Sequence, residues 1–109
     1  MITIQEIYQE ISNLNIFDKA THSERMCKVA EEFGELAQSV NKTIGRKINK
    51  LSEEEKKAEI IEEGADLIQT TISLLYGYGI TAEELIAALV EKNKKWAVVT
   101  MKRALDKGK

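Results

Sequence analysis

The chain has 109 residues and a formal net charge of −2 at pH 7. That is enough for one small domain with one modest core, expected over residues 1–109 with its packed part at about 3–105. The lack of a basic excess argues against a nucleic-acid partner. A single cysteine, Cys27, excludes an intrachain disulfide framework and any Cys-rich zinc site, and a single histidine, His22, removes the two-histidine metal motifs. No apolar run approaches the roughly 18 residues that span a bilayer. The first residues lack the basic start and apolar stretch of a signal peptide. A cytoplasmic protein without a membrane partner is the expectation.

Proline is absent and the apolar spacing is helical almost throughout. Four times a Ser or Thr is followed three residues later by Glu: Thr3 with Glu6, Thr21 with Glu24, Ser52 with Glu55, Thr81 with Glu84. Each pair can form a capping box, in which hydroxyl and carboxylate satisfy backbone N–H groups left free at a helix start. Four such signals, each ahead of a periodic apolar segment, predict an all-α chain of four helices. The first runs over about 3–13, with Ile4, Ile7, Tyr8 and Ile11 as its stripe. A loop carrying Phe17 follows, and Phe17 is expected to plug the core, with stacking on a base as its alternative. The second helix runs from about 21 to 44, with Met26, Val29, Ala30, Phe33, Leu36, Ala37 and Val40 in one sector. Cys27 reads as filler on this helix, and Gly45 is placed to end it. A basic connection leads to the third helix, 52–76, which is expected to bury Ile60, Ile61, Leu67, Ile68, Ile72 and Leu75. Gly77-Tyr78-Gly79 reads as a turn. The fourth helix runs over 81–105, with a frayed end after it. Trp96 and Tyr76 read as packing or subunit-interface residues.

Two acidic clusters stand out. Glu31-Glu32-Phe33-Gly34-Glu35 is an E-E-x-x-E pattern, and Glu63-Gly64-Ala65-Asp66 is an E-x-x-D pattern. Residues three apart are neighbours on a helix face. Lys28, Glu32 and Glu35 therefore share one column, and Glu59, Glu63, Asp66 and Thr70 share another. If the second and third helices run antiparallel, four carboxylates aim at one point. Unscreened they would repel, and some would take up protons. With hard divalent ions between them they make an oxygen-ligand site suited to magnesium or manganese. Solvated helix faces are the bland alternative. Against it, both clusters sit mid-helix, where the helix dipole does not favour acids, and Glu32 and Glu63 adjoin apolar stripes. Gly34 and Gly64 add a hint. Glycine inside a helix costs roughly 1 kcal/mol relative to alanine, so close helix approach or room for a ligand should offset it.

The ordered set Glu31-Glu32-x-x-Glu35, Glu63-x-x-Asp66 and Glu91-Lys92-Asn93-Lys94-Lys95-Trp96 resembles the all-α nucleoside triphosphate pyrophosphohydrolases of the MazG-like group. That group includes the dimeric dUTPases and dCTP pyrophosphatases. The resemblance covers about residues 22–97. It implies a four-helix MazG-like bundle with antiparallel second and third helices, and Mg2+-dependent hydrolysis of nucleoside triphosphates to monophosphate and pyrophosphate, with Mn2+ as a substitute. It implies Glu32, Glu35, Glu63 and Asp66 as metal ligands, and a homo-oligomer, dimer or tetramer. Glu31 points about 100° from Glu32 and holds the attacking water, supports a ligand, or is merely solvated. Asn93 carries over as a nucleotide or metal contact, and Lys92 or Lys95 as phosphate contacts. No tryptophan precedes the second helix, where some relatives grip the base, so base preference is unreadable.

A triphosphate needs basic groups at its rim. Lys28 lies beside the acids, Lys42, Arg46, Lys47 and Lys50 follow the second helix, and Lys92, Lys94 and Lys95 lie on the fourth. His22 reads as a first-turn residue, with a base or ribose contact as its alternative. The competing function is a non-catalytic helical dimerisation or adaptor protein with solvated acidic faces. A di-iron bundle is disfavoured because no Glu-x-x-His motif exists. No P-loop is present, which excludes a kinase or ATPase of that type.

Overall fold

The computed structural model describes residues 1–44 and 51–108. These residues are 84 % helical and include no strand. The helices are α1 (Ile4–Asn15), α2 (His22–Ile44), α3 (Glu53–Gly77) and α4 (Ala82–Lys107). The all-α expectation holds, and every helix start lies within a residue of its capping signal. Gly45 and the basic residues Arg46, Lys47 and Lys50 lie outside the described residues.

The caps form as their chemistry requires. Ser52 with Glu55 and Thr81 with Glu84 make reciprocal capping boxes. Thr21 and Glu24 do the same, with bonds of 3.0 and 3.1 Å. At α1 the box is half made: Thr3 Oγ1 accepts from the Glu6 amide, but its hydroxyl donates to the Glu6 carboxylate. After α3 the chain turns at Gly79, whose φ of +74° belongs to the left-handed region that favours glycine. The expected fraying after Leu105 does not occur. The helix continues to Lys107, and the Gly108 amide donates to the carbonyls of Ala104 and Leu105.

The chain forms two compact units, Met1–Gly79 and Ile80–Lys109. In the first, α2 and α3 pack against each other and α1 packs on α3. The α2–α3 pair is antiparallel: Arg25 near the start of α2 bonds to Ser73 near the end of α3, while Lys42 near the end of α2 meets Glu59 near the start of α3. Tyr8 of α1 and Ile72 of α3 are the buried large apolar residues. The second unit is carried by α4, whose Trp96 is exposed. No single helix among the described residues is long and apolar enough to cross a membrane.

The expected apolar sectors are only partly covered. Met26, Phe33 and Val40 of α2 are 50 %, 62 % and 39 % exposed, and Ile61 and Ile68 of α3 are each 61 % exposed. Cys27 and Phe17 are exposed as well, so neither fills the core. The reason lies in which sector of α2 is buried. Its buried residues are Arg25, Glu32 and Ser39, spaced seven apart on one polar stripe. Val29, Leu36 and Ala37 of the expected sector are half-buried beside that stripe, while Met26, Phe33 and Val40 are rotated away from it. The described unit buries a polar seam and leaves apolar columns beside it.

Candidate metal centre

Glu32 and Glu35 come from the middle of α2, and Glu63 and Asp66 from the middle of α3. The antiparallel register brings all four to one place, with one carboxylate oxygen from each lying within 4.8 Å of the others. Glu32 is buried, and the other three are half-buried. Both Glu32 Oε2 and Glu63 Oε2 are buried without a hydrogen-bond partner among the described residues. A buried charged oxygen without a partner costs its full desolvation penalty, so such atoms are rare unless they bind something.

The electrostatics show the same crowding. The Glu35 carboxyl is held above the ordinary carboxylate value, first by its hydrogen bond with Glu32, then by repulsion from Glu32 and by desolvation, with Glu63 contributing less. Among the described residues one cation, that of Lys28, answers the cluster. Lys28 Nζ lies 3.2 Å from Glu32 Oε1 and 3.5 Å from Glu31 Oε2. Its pKa is raised, chiefly by the bond to Glu32 and the charge of Glu31. Glu31 itself is exposed and stands outside the converging four. Glu59, fourth member of the α3 column, pairs instead with Lys42.

These residues fit a divalent metal. Four hard oxygen donors meet at one point, two of their buried oxygens lack partners, and one carboxyl is pushed toward its neutral form by its neighbours. Gly34 and Gly64 do not serve close packing within the chain, because a Cβ at either would meet nothing within 4 Å. Gly77 has close neighbours: a Cβ there would make ordinary contact with the His22 ring at 3.4 Å and the Arg25 side chain at 3.5 Å. His22 is the first residue of α2. Its Nε2 lies 2.8 Å from the Gly77 carbonyl, and its ring packs on Tyr78 with centroids 4.0 Å apart.

Beside the carboxylates a cleft of about 460 Å³ opens between α1, the α1–α2 loop, α2 and α3. Lys28 and Thr70 line the end next to the acids; Thr70 Oγ1 donates to the Asp66 carbonyl. Ile11, Leu14 and Ala20 supply apolar wall, Gln69 an amide, and Asn15, Arg25 and Ser73 a polar floor. The sequence reading missed Arg25, Asn15, Ser73 and Gln69. The signal available was the position of Arg25, seven residues before Glu32 on the same stripe. Lys92, Asn93 and Lys95 belong to α4, where all three are exposed, and Lys94 is tied to Glu91 at 3.2 Å.

The fold and site together define an all-α chain in which an E-E-x-x-E and an E-x-x-D motif meet across an antiparallel helix pair. The family model for phosphoribosyl-ATP pyrophosphohydrolase matches residues 3–93, and the chain belongs to this family, which takes in the MazG-like nucleoside triphosphate pyrophosphohydrolases that its motifs resemble. The family is typically metal-dependent. No curated protein and no solved structure gives a significant match.

Proposed function

We propose that the protein is a divalent-metal-dependent nucleoside triphosphate pyrophosphohydrolase of the cytoplasm. It cleaves between the α- and β-phosphates to give a nucleoside monophosphate and pyrophosphate, a nucleotide-pool house-cleaning reaction. The observation that carries this reading is the convergence of Glu32, Glu35, Glu63 and Asp66 with two buried oxygens left without partners. These four side chains hold Mg2+, with Mn2+ as substitute. When bound, the metal neutralises phosphate charge, polarises the α-phosphate and acidifies water.

The chain's own residues do the rest. Lys28 stands between the acids and the cleft, positioned to contact a phosphate. Glu31, exposed beside Lys28, is placed to orient water at the rim. The cleft takes the nucleoside against Ile11, Leu14 and Ala20, with the Gln69 amide offering a donor and an acceptor to a base edge. Lys92, Asn93 and Lys95 are assigned to substrate by resemblance to the family's last core motif. The functional form is a homo-oligomer, dimer or tetramer, because Met26, Phe33, Val40, Ile61 and Ile68 leave apolar columns that a second copy would cover. The whole chain acts as one pyrophosphohydrolase domain.

A non-catalytic helical dimer would account for the apolar columns but leaves the two orphan carboxylate oxygens unexplained. Two measurements separate these readings. Pyrophosphate release is followed over a panel of canonical and modified nucleoside triphosphates, with phosphoribosyl-ATP included. Thermal unfolding is followed with and without Mg2+ or Mn2+. At a metal concentration about 100 times its Kd, the protein should gain about 2.7 kcal/mol of stability, reversed by chelator. No release from any substrate and no metal-dependent shift would sink the enzyme reading.

A further inference from the structure

We propose that Arg25 is a positioning residue for the metal site, holding α3 in the register that sets Glu63 and Asp66 opposite Glu32 and Glu35. This inference rests on the metal reading above and adds a residue to it.

Arg25 is 8 % exposed, and its guanidinium is spent on fixed acceptors from three parts of the first unit. Nη1 donates to Asn15 Oδ1 at 3.0 Å, to the Ser73 carbonyl at 2.9 Å and to Ser73 Oγ at 3.1 Å. Nη2 donates to the Asp18 carbonyl at 2.9 Å and Nε to the Ala20 carbonyl at 3.2 Å. Ser73 Oγ in turn donates to Asn15 Oδ1 at 2.6 Å. Among the described residues none of the Arg25 partners is a carboxylate. A buried arginine without an acid partner is an expensive residue, and its fork is used here to set direction in space.

The direction matters because of spacing. Arg25 lies seven residues before Glu32 on α2, and Ser73 lies seven residues after Asp66 on α3. Seven residues are close to two full turns, so each residue sits on the same face as the acid it precedes or follows. The bond between Arg25 and Ser73 therefore holds the two helices one layer away from the carboxylates. A slip of one residue along α3 would shift its carboxylates by about 1.5 Å and rotate them by about 100°. A displacement near 1 Å can cost about a hundredfold at a reacting centre.

The test is Mn2+ binding by the metal-free full chain, read by electron paramagnetic resonance, for wild type, Arg25→Lys, Arg25→Met and Ser73→Ala. Circular dichroism on each sample checks helix content. Arg25→Lys keeps the charge but cannot fork across Asn15, Ser73 and the loop. It and Arg25→Met should weaken Mn2+ binding on the order of tenfold, the scale seen when support behind a metal site is removed. Ser73→Ala should weaken it in the same direction and less. Should Arg25→Met not fold, Arg25→Lys and Ser73→Ala carry the test. Variants that unfold at lower temperature yet bind Mn2+ as wild type does would make Arg25 purely structural and overturn the proposal alone. Wild type without measurable Mn2+ binding would overturn the metal reading, and this one with it.

Discussion

Two polar layers cross the α2–α3 seam two helical turns apart, and they end in opposite states. In the Arg25–Ser73 layer each of the three guanidinium nitrogens donates to at least one acceptor between 2.9 and 3.2 Å away. In the Glu32–Asp66 layer two buried carboxylate oxygens have no partner among the described residues, and Lys28 reaches the cluster through Glu32 Oε1. Both layers bury polar groups on one helix pair, so burial does not distinguish them. Satisfaction does. A saturated network specifies geometry, while an unsatisfied one of like charges stores a demand for a ligand. The closed layer builds the scaffold, and in the proposed function the open one takes the metal.

The sharpest way to break this contrast is to remove one member from each layer. Glu63→Ala or Asp66→Ala should lower turnover at least about a hundredfold, since even support behind a metal ligand is worth that much. The metal-free helix content should stay normal, and metal-free stability should hold or rise, because one of four repelling charges is gone. Glu32→Ala and Glu35→Ala should behave alike. Ser73→Ala should do the reverse to stability, costing about 1 kcal/mol in denaturant unfolding through its lost hydrogen bonds. If Glu31, Glu32, Glu35, Glu63 and Asp66 could each be replaced by alanine at the wild-type rate, the open layer would be ordinary helix surface.

A smaller effect tests the repulsion itself. The Glu35 carboxyl has a folded pKa raised above the ordinary 4.5, owing first to Glu32. The folded metal-free protein therefore holds that proton more tightly than the unfolded chain does. This group favours folding fully below pH about 4.5, and the contribution is lost as pH rises through the folded pKa. Comparing wild type with Glu35→Gln isolates it: wild type should lose stability relative to the variant as pH climbs from about 4.5. Saturating Mn2+ should remove the wild type's loss of stability with rising pH, because a metal-bound carboxylate gives up its proton. Parallel pH profiles without metal would mean that the four carboxylates do not sense one another.

The smallest expected effect lies beyond both layers, where Lys42 and Glu59 pair at 3.0 Å with more than half of the lysine side chain exposed. Glu59→Gln should cost less than about 1 kcal/mol, and the loss should shrink in high salt. A cost as large as that of Ser73→Ala would show that the seam depends on surface charge as much as on its buried network.

Much of this molecule was legible before any coordinates. Capping chemistry acts over three residues, so Thr3, Thr21, Ser52 and Thr81 placed the helix starts to within a residue. The same short range let Glu32 with Glu35, and Glu63 with Asp66, be read as shared faces. Their meeting needed one further step, an antiparallel pair in the right register. What stayed hidden was the sector of α2 that meets α3. A helical wheel orders residues around the axis but does not say which arc faces a neighbour, and the apolar arc of Met26, Phe33 and Val40 looked the natural choice. The most deeply buried residues of α2 are Arg25, Glu32 and Ser39, and a polar group can line such a seam when it finds partners there, as Arg25 does. Those partners, Ser73, Asn15 and the carbonyls of the α1–α2 loop, come from distant parts of the chain. Local sequence determined the helices and the residues on each face; long-range hydrogen bonding between those faces, a property of the tertiary structure alone, decided which face became the core.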